Sequence, residues 1–258
     1  KYTYTAPGYR LKYKDMKDYR NETGRKLEIL MEDKPTGLEV CSNIQFYDGI
    51  SVIRSWTELK NNGEEDLGVE YVSSFALLGI DKEGLLSTDE KLEVLIARNA
   101  WQKELIWNRF SMDQLGMSIS QPDKVRRSSQ TISVGNTGNW STKNYLPMGC
   151  LKNKETDSIL FWQIEQNGSW YWEISDQDGH MYLQLSGPTE HQSHWWKNLK
   201  PGDTFASVPV SVGSACGDVE EAAGELTKYR RAIRRKNEDN EKLPVIFNDY
   251  MNCLWGDP

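Results

Sequence analysis

The chain has 258 residues, 38% of them apolar types, with 38 acidic against 31 basic side chains and a formal net charge of -7. That length supports a sizeable core, as one large all-β domain or two smaller ones. The acidic balance argues against a nucleic-acid or anionic-membrane partner, and no apolar run approaches the ~20 residues needed to cross a bilayer.

The start, Lys1-Tyr2-Thr3-Tyr4, carries no initiator Met and no signal peptide, and the end falls just after an apolar run, so both ends read as trimmed. Leu38, Val40, Ile44 and Phe46 alternate with polar residues, which predicts a half-buried strand. Asp48-Gly49 follows as a hairpin signal, then a strand over Ile50 to Leu59, stopped by Asn61-Asn62-Gly63. Val69 to Leu78 and Leu92 to Ala97 predict further strands. Gly135-Asn136-Thr137-Gly138 has the composition of a phosphate loop but lacks the Lys-Ser/Thr that would follow, so it reads as a turn.

From Ile159 a second β series begins. Ile159 to Ile164 leads to a turn at Asn167-Gly168. Trp170, Trp172 and Ile174 alternate, Asp176 to Gly179 turns, and Met181, Leu183 and Leu185 alternate again. Short strands at about ten-residue spacing with Gly/Asn/Asp turns predict an antiparallel sandwich. After Gly217 the pattern changes. Asp218 caps a predicted helix with Glu220 and Glu221 at its start and Arg230, Arg231, Arg234 and Arg235 at its end, matching the helix dipole. Lys236 to Lys242 reads as a polar linker, and Pro244-Val245-Ile246-Phe247 as a continuous apolar strand of the buried parallel type. The predicted division is a sandwich over 1–216, helix and linker over 217–242, and the start of an α/β domain over 243–258.

Candidate chemistry is sparse. His191 and His194 lie three apart but in a loop-like context with no third ligand, so no metal site is expected. Asn139-Trp140-Ser141 and Asn167-Gly168-Ser169 match the glycosylation sequon and read as loops. Cys41, Cys150, Cys216 and Cys253 form no CxxC pair and read as reduced thiols of a cytoplasmic protein. Ten tryptophans stand out. Indole faces stack on sugar C–H faces, so the count suits carbohydrate handling, against the plainer reading that each fills a sandwich core. No two carboxylates can be paired from sequence for glycoside hydrolysis.

Several segments together carry a resemblance. Ile53-Arg54-Ser55 with Asn61-Asn62-Gly63 resembles the "I-x-R-S…N-x-G" signature of family 36 glycoside hydrolases. Trp101 to Glu104 resembles their "W-x-x-E", and Leu199-Lys200-Pro201-Gly202-Asp203-Thr204-Phe205 their "L-x-P-G-E-x-F" turn. Pro244 to Tyr250 resembles the "P-V-L-x-N-x-W" first strand of their catalytic barrel. The segments keep the family's order. Tyr250 stands where the family has Trp, Asn252 where it has a small residue, and the family's His is missing between Gly135 and Pro147. These departures indicate a divergent subgroup. Related subgroups act on α-linked N-acetylgalactosamine or transfer galactose.

The resemblance implies a mainly β chain: an antiparallel β-supersandwich, a linker helix and the first strand of a truncated (β/α)8 barrel. It implies a retaining α-galactosidase in which one Asp attacks the anomeric carbon and another protonates the leaving oxygen. Both lie on later barrel strands, so no catalytic residue is assigned here and the fragment alone is expected to be inactive. The substrate wall falls to Asp249, Tyr250 and Trp255, an acid for sugar hydroxyls and aromatics for the ring; in the other reading Tyr250 packs in the barrel and Trp255 covers its mouth. An α-galactoside oligosaccharide is the expected partner, with no cofactor, and the full-length protein is expected to be a homo-oligomer. The competing functions are a stand-alone carbohydrate-binding module and a purely structural oligomerisation domain.

Overall fold

The computed structural model describes residues 6–117, 130–177 and 179–249. Helix α1 (Ala6–Arg10) leads into β1 (Lys12–Asn21), β2 (Gly24–Asp33), β3 (Leu38–Phe46) and β4 (Val52–Asn61). Next come β5 (Leu67–Val69), β6 (Ser73–Leu78), α2 (Thr88–Lys91), β7 (Leu92–Ala100) and β8 (Lys103–Ser111). The middle of the chain forms β9 (Thr131–Asn136), β10 (Tyr145–Asn153), β11 (Ser158–Ile164), β12 (Trp170–Gln177) and β13 (His180–Ser186). Helix α3 (Glu190–Ser193) then precedes β14 (Lys197–Leu199), β15 (Thr204–Ala206) and β16 (Val210–Cys216), followed by α4 (Val219–Ile233) and α5 (Glu238–Lys242).

Among the described residues, ten strands build one large antiparallel sheet in the order β1-β2-β3-β4-β16-β11-β10-β7-β8, with β15 pairing to β4 off that path. A second sheet runs β6-β13-β12-β9, and β14 with β5 makes a small ribbon. The two larger sheets pack face to face over a core that includes Trp162, Trp170, Trp172, Leu183 and Val212. Trp162 from the large sheet meets Trp172 from the small one edge-on, with ring centroids 5.1 Å apart and planes at 77°. Such a pair adds about 0.5–1.5 kcal/mol beyond the area it buries.

The apolar run Ile159 to Trp162 in β11 has a simple cause: both faces of the strand are covered. Trp162 and Ile164 point into the inter-sheet core, whereas Ile159 and Phe161 point the other way, against α4. Two glycines make room for these rings. A Cβ on Gly149 would lie 2.5 Å from the Trp162 ring, and one on Gly213 2.4 Å from Phe161.

Helix α4 covers the outer face of the large sheet with Ala222, Leu226 and Tyr229, spaced four and three apart on one stripe. Its first turn is fixed by a capping box between Asp218 and Glu221. Arg109 donates to both Asp218 oxygens at 2.8 and 2.6 Å, tying the cap to β8. Partial burial pushes the Asp218 carboxyl up, but the Arg109 guanidinium and the Val219 N–H together overcome this and hold it below the ordinary value.

Three expectations change, and one element is new. The predicted strand Val69 to Leu78 is two strands, because Glu70 to Val72 cross from the ribbon to the small sheet. The stretch read as a linker contains α5, capped by Asn237, whose side chain accepts from the Asn240 N–H. The β1–β2 hairpin, not anticipated, extends the large sheet; every residue of β1 is exposed, so it has no apolar alternation to betray it. Pro244 to Phe247 forms no strand among the described residues. A strand exists by its ladder, and no described strand flanks this segment; Val245, Ile246 and Phe247 are 99%, 84% and 78% exposed.

Candidate functional site

The residues expected to form a substrate wall do not assemble among the described residues. Asp249 is exposed and lies outside any strand. Tyr250 and Trp255 lie outside the described residues, as does Cys253. His191 belongs to α3 and His194 caps it in a left-handed conformation at φ 51°. Among the described residues no three His, Cys, Asp or Glu side chains converge as metal ligands. Asn139 and Asn167 both sit in loops.

Two of the family-like segments meet, at Asn61 and at the turn after Leu199, and their contacts are architectural. Asn61 is fully buried. Its Nδ2 donates to the carbonyls of Glu65 and Leu199 at 2.8 and 2.9 Å, and its Oδ1 accepts from the Gly63 N–H at 2.9 Å. Its backbone N–H donates to the Asp203 carbonyl, while its own carbonyl accepts from Gly202. One side chain thus joins the "N-x-G" turn to the turn that follows Leu199. Arg54 donates through Nε and Nη2 to Glu165 at 3.0 and 2.7 Å, and the Tyr229 hydroxyl donates to the same carboxylate. Burial first, then the Glu165 carboxylate, pushes the Tyr229 hydroxyl well above the ordinary phenol range. This trio links β4, the end of β11 and α4. Trp101 stands 83% exposed at the β7–β8 turn. That turn is braced by Asn99, whose side chain donates to the Thr142 carbonyl at 2.6 Å.

A cluster that sequence reasoning missed lies on the small sheet's outer face. Glu173 is fully buried, and its carboxylate accepts from the hydroxyls of Tyr171 at 2.8 Å and Tyr182 at 2.7 Å. The signal was present: where Trp170, Trp172 and Ile174 point inward, Tyr171, Glu173 and Ser175 must point outward. A single carboxylate held by two tyrosines is suited to rigidity. Retaining glycosidases need two carboxyl groups flanking the bond, a different arrangement from the two-tyrosine clamp on Glu173.

A cleft of about 880 Å³ lies beside β6. Val40, Ser42, Thr57 and Leu59 of β3 and β4 form its floor, and the chain from Gly68 to Ala76 forms one wall. That wall is fastened to β4 by the Ser55 and Thr57 hydroxyls, which donate to the carbonyls of Ser74 and Ser73 at 2.7 Å each. Tyr9, Leu11, Gln184, Glu190 and His191 also line the cleft. The Glu190 N–H donates to the Glu70 carbonyl at 2.8 Å and closes the rim. Among the described residues, no lysine or arginine lines the cleft.

No protein-family model matches the sequence, and no curated protein matches it. The fold does match solved structures. The family 36 α-galactosidase AgaA of Geobacillus stearothermophilus, solved in complex with stachyose, superposes with a TM-score of 0.74 at 17% identity, covering 90% of this chain and 32% of that one. AgaB of the same organism gives 0.75 at 16% identity, with 93% and 32% covered. The α-galactosidase of Lactobacillus brevis gives 0.69 at 14% identity, with 86% and 29% covered. The chain therefore has the fold found in about a third of these α-galactosidases, and spans about a third of their length.

Proposed function

We propose that this chain is the N-terminal β-supersandwich of a retaining, family-36-like α-galactosidase acting on α-linked galactosides. The observation that carries the reading is the shared fold over 90% of the chain with an enzyme solved with stachyose bound. The ordered sequence segments support it independently, and their hydrogen bonds give them a physical reason to recur: Asn61 and Arg54 lock the sandwich and its covering helix together.

On this reading the catalytic carboxylates lie on a barrel encoded beyond residue 258, and Pro244 to Phe247 is its first strand. The segment's exposed apolar side chains suit a strand that gains neighbours on both sides. Asp249, Tyr250 and Trp255 then line the carboxyl end of that strand, with Trp255 stacking on the sugar. In the longer protein Trp255→Ala raises KM with little change in thermal midpoint; an unchanged KM removes the stacking role. The longer protein is a cytoplasmic homo-oligomer.

A fluorinated galactosyl fluoride, which traps retaining glycosidases as a covalent ester, tests the reading. Incubated with the polypeptide continued past Pro258, it labels one Asp that maps beyond residue 258. Failure to label, or a label within residues 1–258, overturns it.

A further inference from the structure

We propose that the cleft beside β6 binds a neutral oligosaccharide, with Gln184 as a buried hydrogen-bonding group in its lining. The cleft's own lining points to this ligand independently of the hydrolase reading.

Size comes first. At about 880 Å³ the cleft falls within the roughly 300–1,000 Å³ typical of small-molecule sites. The charge of its lining then narrows the ligand. With no lysine or arginine among the described lining residues, and with Glu70 and Glu190 in that lining, the cleft disfavours phosphates and carboxylates. The remaining surface interleaves apolar and aromatic groups, including Tyr9, Tyr71 and Phe75, with hydroxyls such as Ser42 and Thr57. Sugars present the same mixture: C–H faces for rings, and hydroxyls that both donate and accept.

Gln184 excludes a purely apolar ligand. Its residue is 7% exposed, and its Oε1 is buried without a hydrogen-bond partner. A buried acceptor left unpaired costs about 1–3 kcal/mol, a cost that a donated ligand hydroxyl removes and a lipid chain does not. On β13 Gln184 pairs across the ladder with Ala76 of β6, and both residues line the cleft. Among the described residues this is the one lining side chain that is nine-tenths buried and holds an unpaired polar atom.

Saturation-transfer NMR and calorimetric titration of the 258-residue chain with raffinose, maltotriose and galactose 1-phosphate test the proposal. Transfer to at least one neutral sugar is expected, with weaker binding of the phosphate. Gln184→Leu lowers affinity about tenfold by removing the amide. Ser42→Trp fills the floor and abolishes binding. Tyr9→Ala, at a side chain 73% exposed, weakens binding without threatening the fold, so it decides the matter if the buried variants do not fold. Absence of transfer from both neutral sugars, tighter binding of the phosphate, or affinity unchanged in every folded variant overturns the proposal.

Discussion

Asn61 donates its side-chain Nδ2 to the carbonyl of Leu199, 138 positions away in the chain, over 2.9 Å. The bond sits where β4 ends and the ribbon strand β14 ends, and it fixes where two distant turns meet. Asn61→Ala leaves the carbonyls of Leu199 and Glu65 and the N–H of Gly63 without their present partners. The expected loss is about 2–4 kcal/mol in urea unfolding. A loss below about 0.5 kcal/mol shows that water replaces the side chain and that the joint is not structural.

The Arg54–Glu165–Tyr229 trio holds α4 on the sheet. Tyr229→Phe removes one hydrogen bond to a carboxylate, worth about 1.5–3 kcal/mol. Glu165→Gln leaves the Arg54 guanidinium half-buried without its counter-charge; because Arg54 is a third exposed, about 1–3 kcal/mol is expected rather than the full cost of a buried orphan charge. Hydrogen exchange in both variants speeds up first along Val219 to Ile233. Uniform acceleration across the sheets indicates instead that the trio stabilises the fold globally.

Much of this was legible in the sequence, and the reasons for what was not are physical. Strands that bury one face announced themselves by alternation, as in β3, and those buried on both faces by continuous apolar runs, as in β11. The helix after Gly217 was marked by Asp218 and Glu221 at its cap. β1 was invisible because an exposed strand at a sheet edge has no apolar face and is held by pairs such as Tyr19 with Glu28. The Glu173 cluster escaped because polar residues at alternate positions usually face water, whereas here both tyrosines fold over the carboxylate. The cleft escaped because its lining comes from segments more than a hundred residues apart. Sequence reasoning also singled out Asn61 and Arg54 through their resemblance to family motifs, and only the hydrogen bonds give them a physical role.

Alkaline pH tests the burial of Cys150. Desolvation raises its thiol to about 12 from an ordinary value near 9. The folded thiol therefore keeps its proton while the unfolded one ionises. The stabilisation is fully present below pH about 9 and is lost as pH climbs toward about 12, with a limiting slope of about 1.4 kcal/mol per pH unit. The raised Tyr182 and Tyr229 hydroxyls steepen the loss above pH about 10. Urea titrations of the parent and Cys150→Ala between pH 8 and about 10 separate the contributions. The parent's stability falls over that range and the variant's stays flatter; parallel curves contradict the buried-thiol account.

Hydrolysis of nitrophenyl α-galactoside bears most directly on the central claim. It is measured on the 258-residue chain and on the polypeptide continued through the residues its gene encodes after Pro258. The account predicts release of nitrophenol by the longer polypeptide and none above background by the 258-residue chain. Turnover by the chain alone, or a folded longer polypeptide that cleaves no α-galactoside, contradicts it.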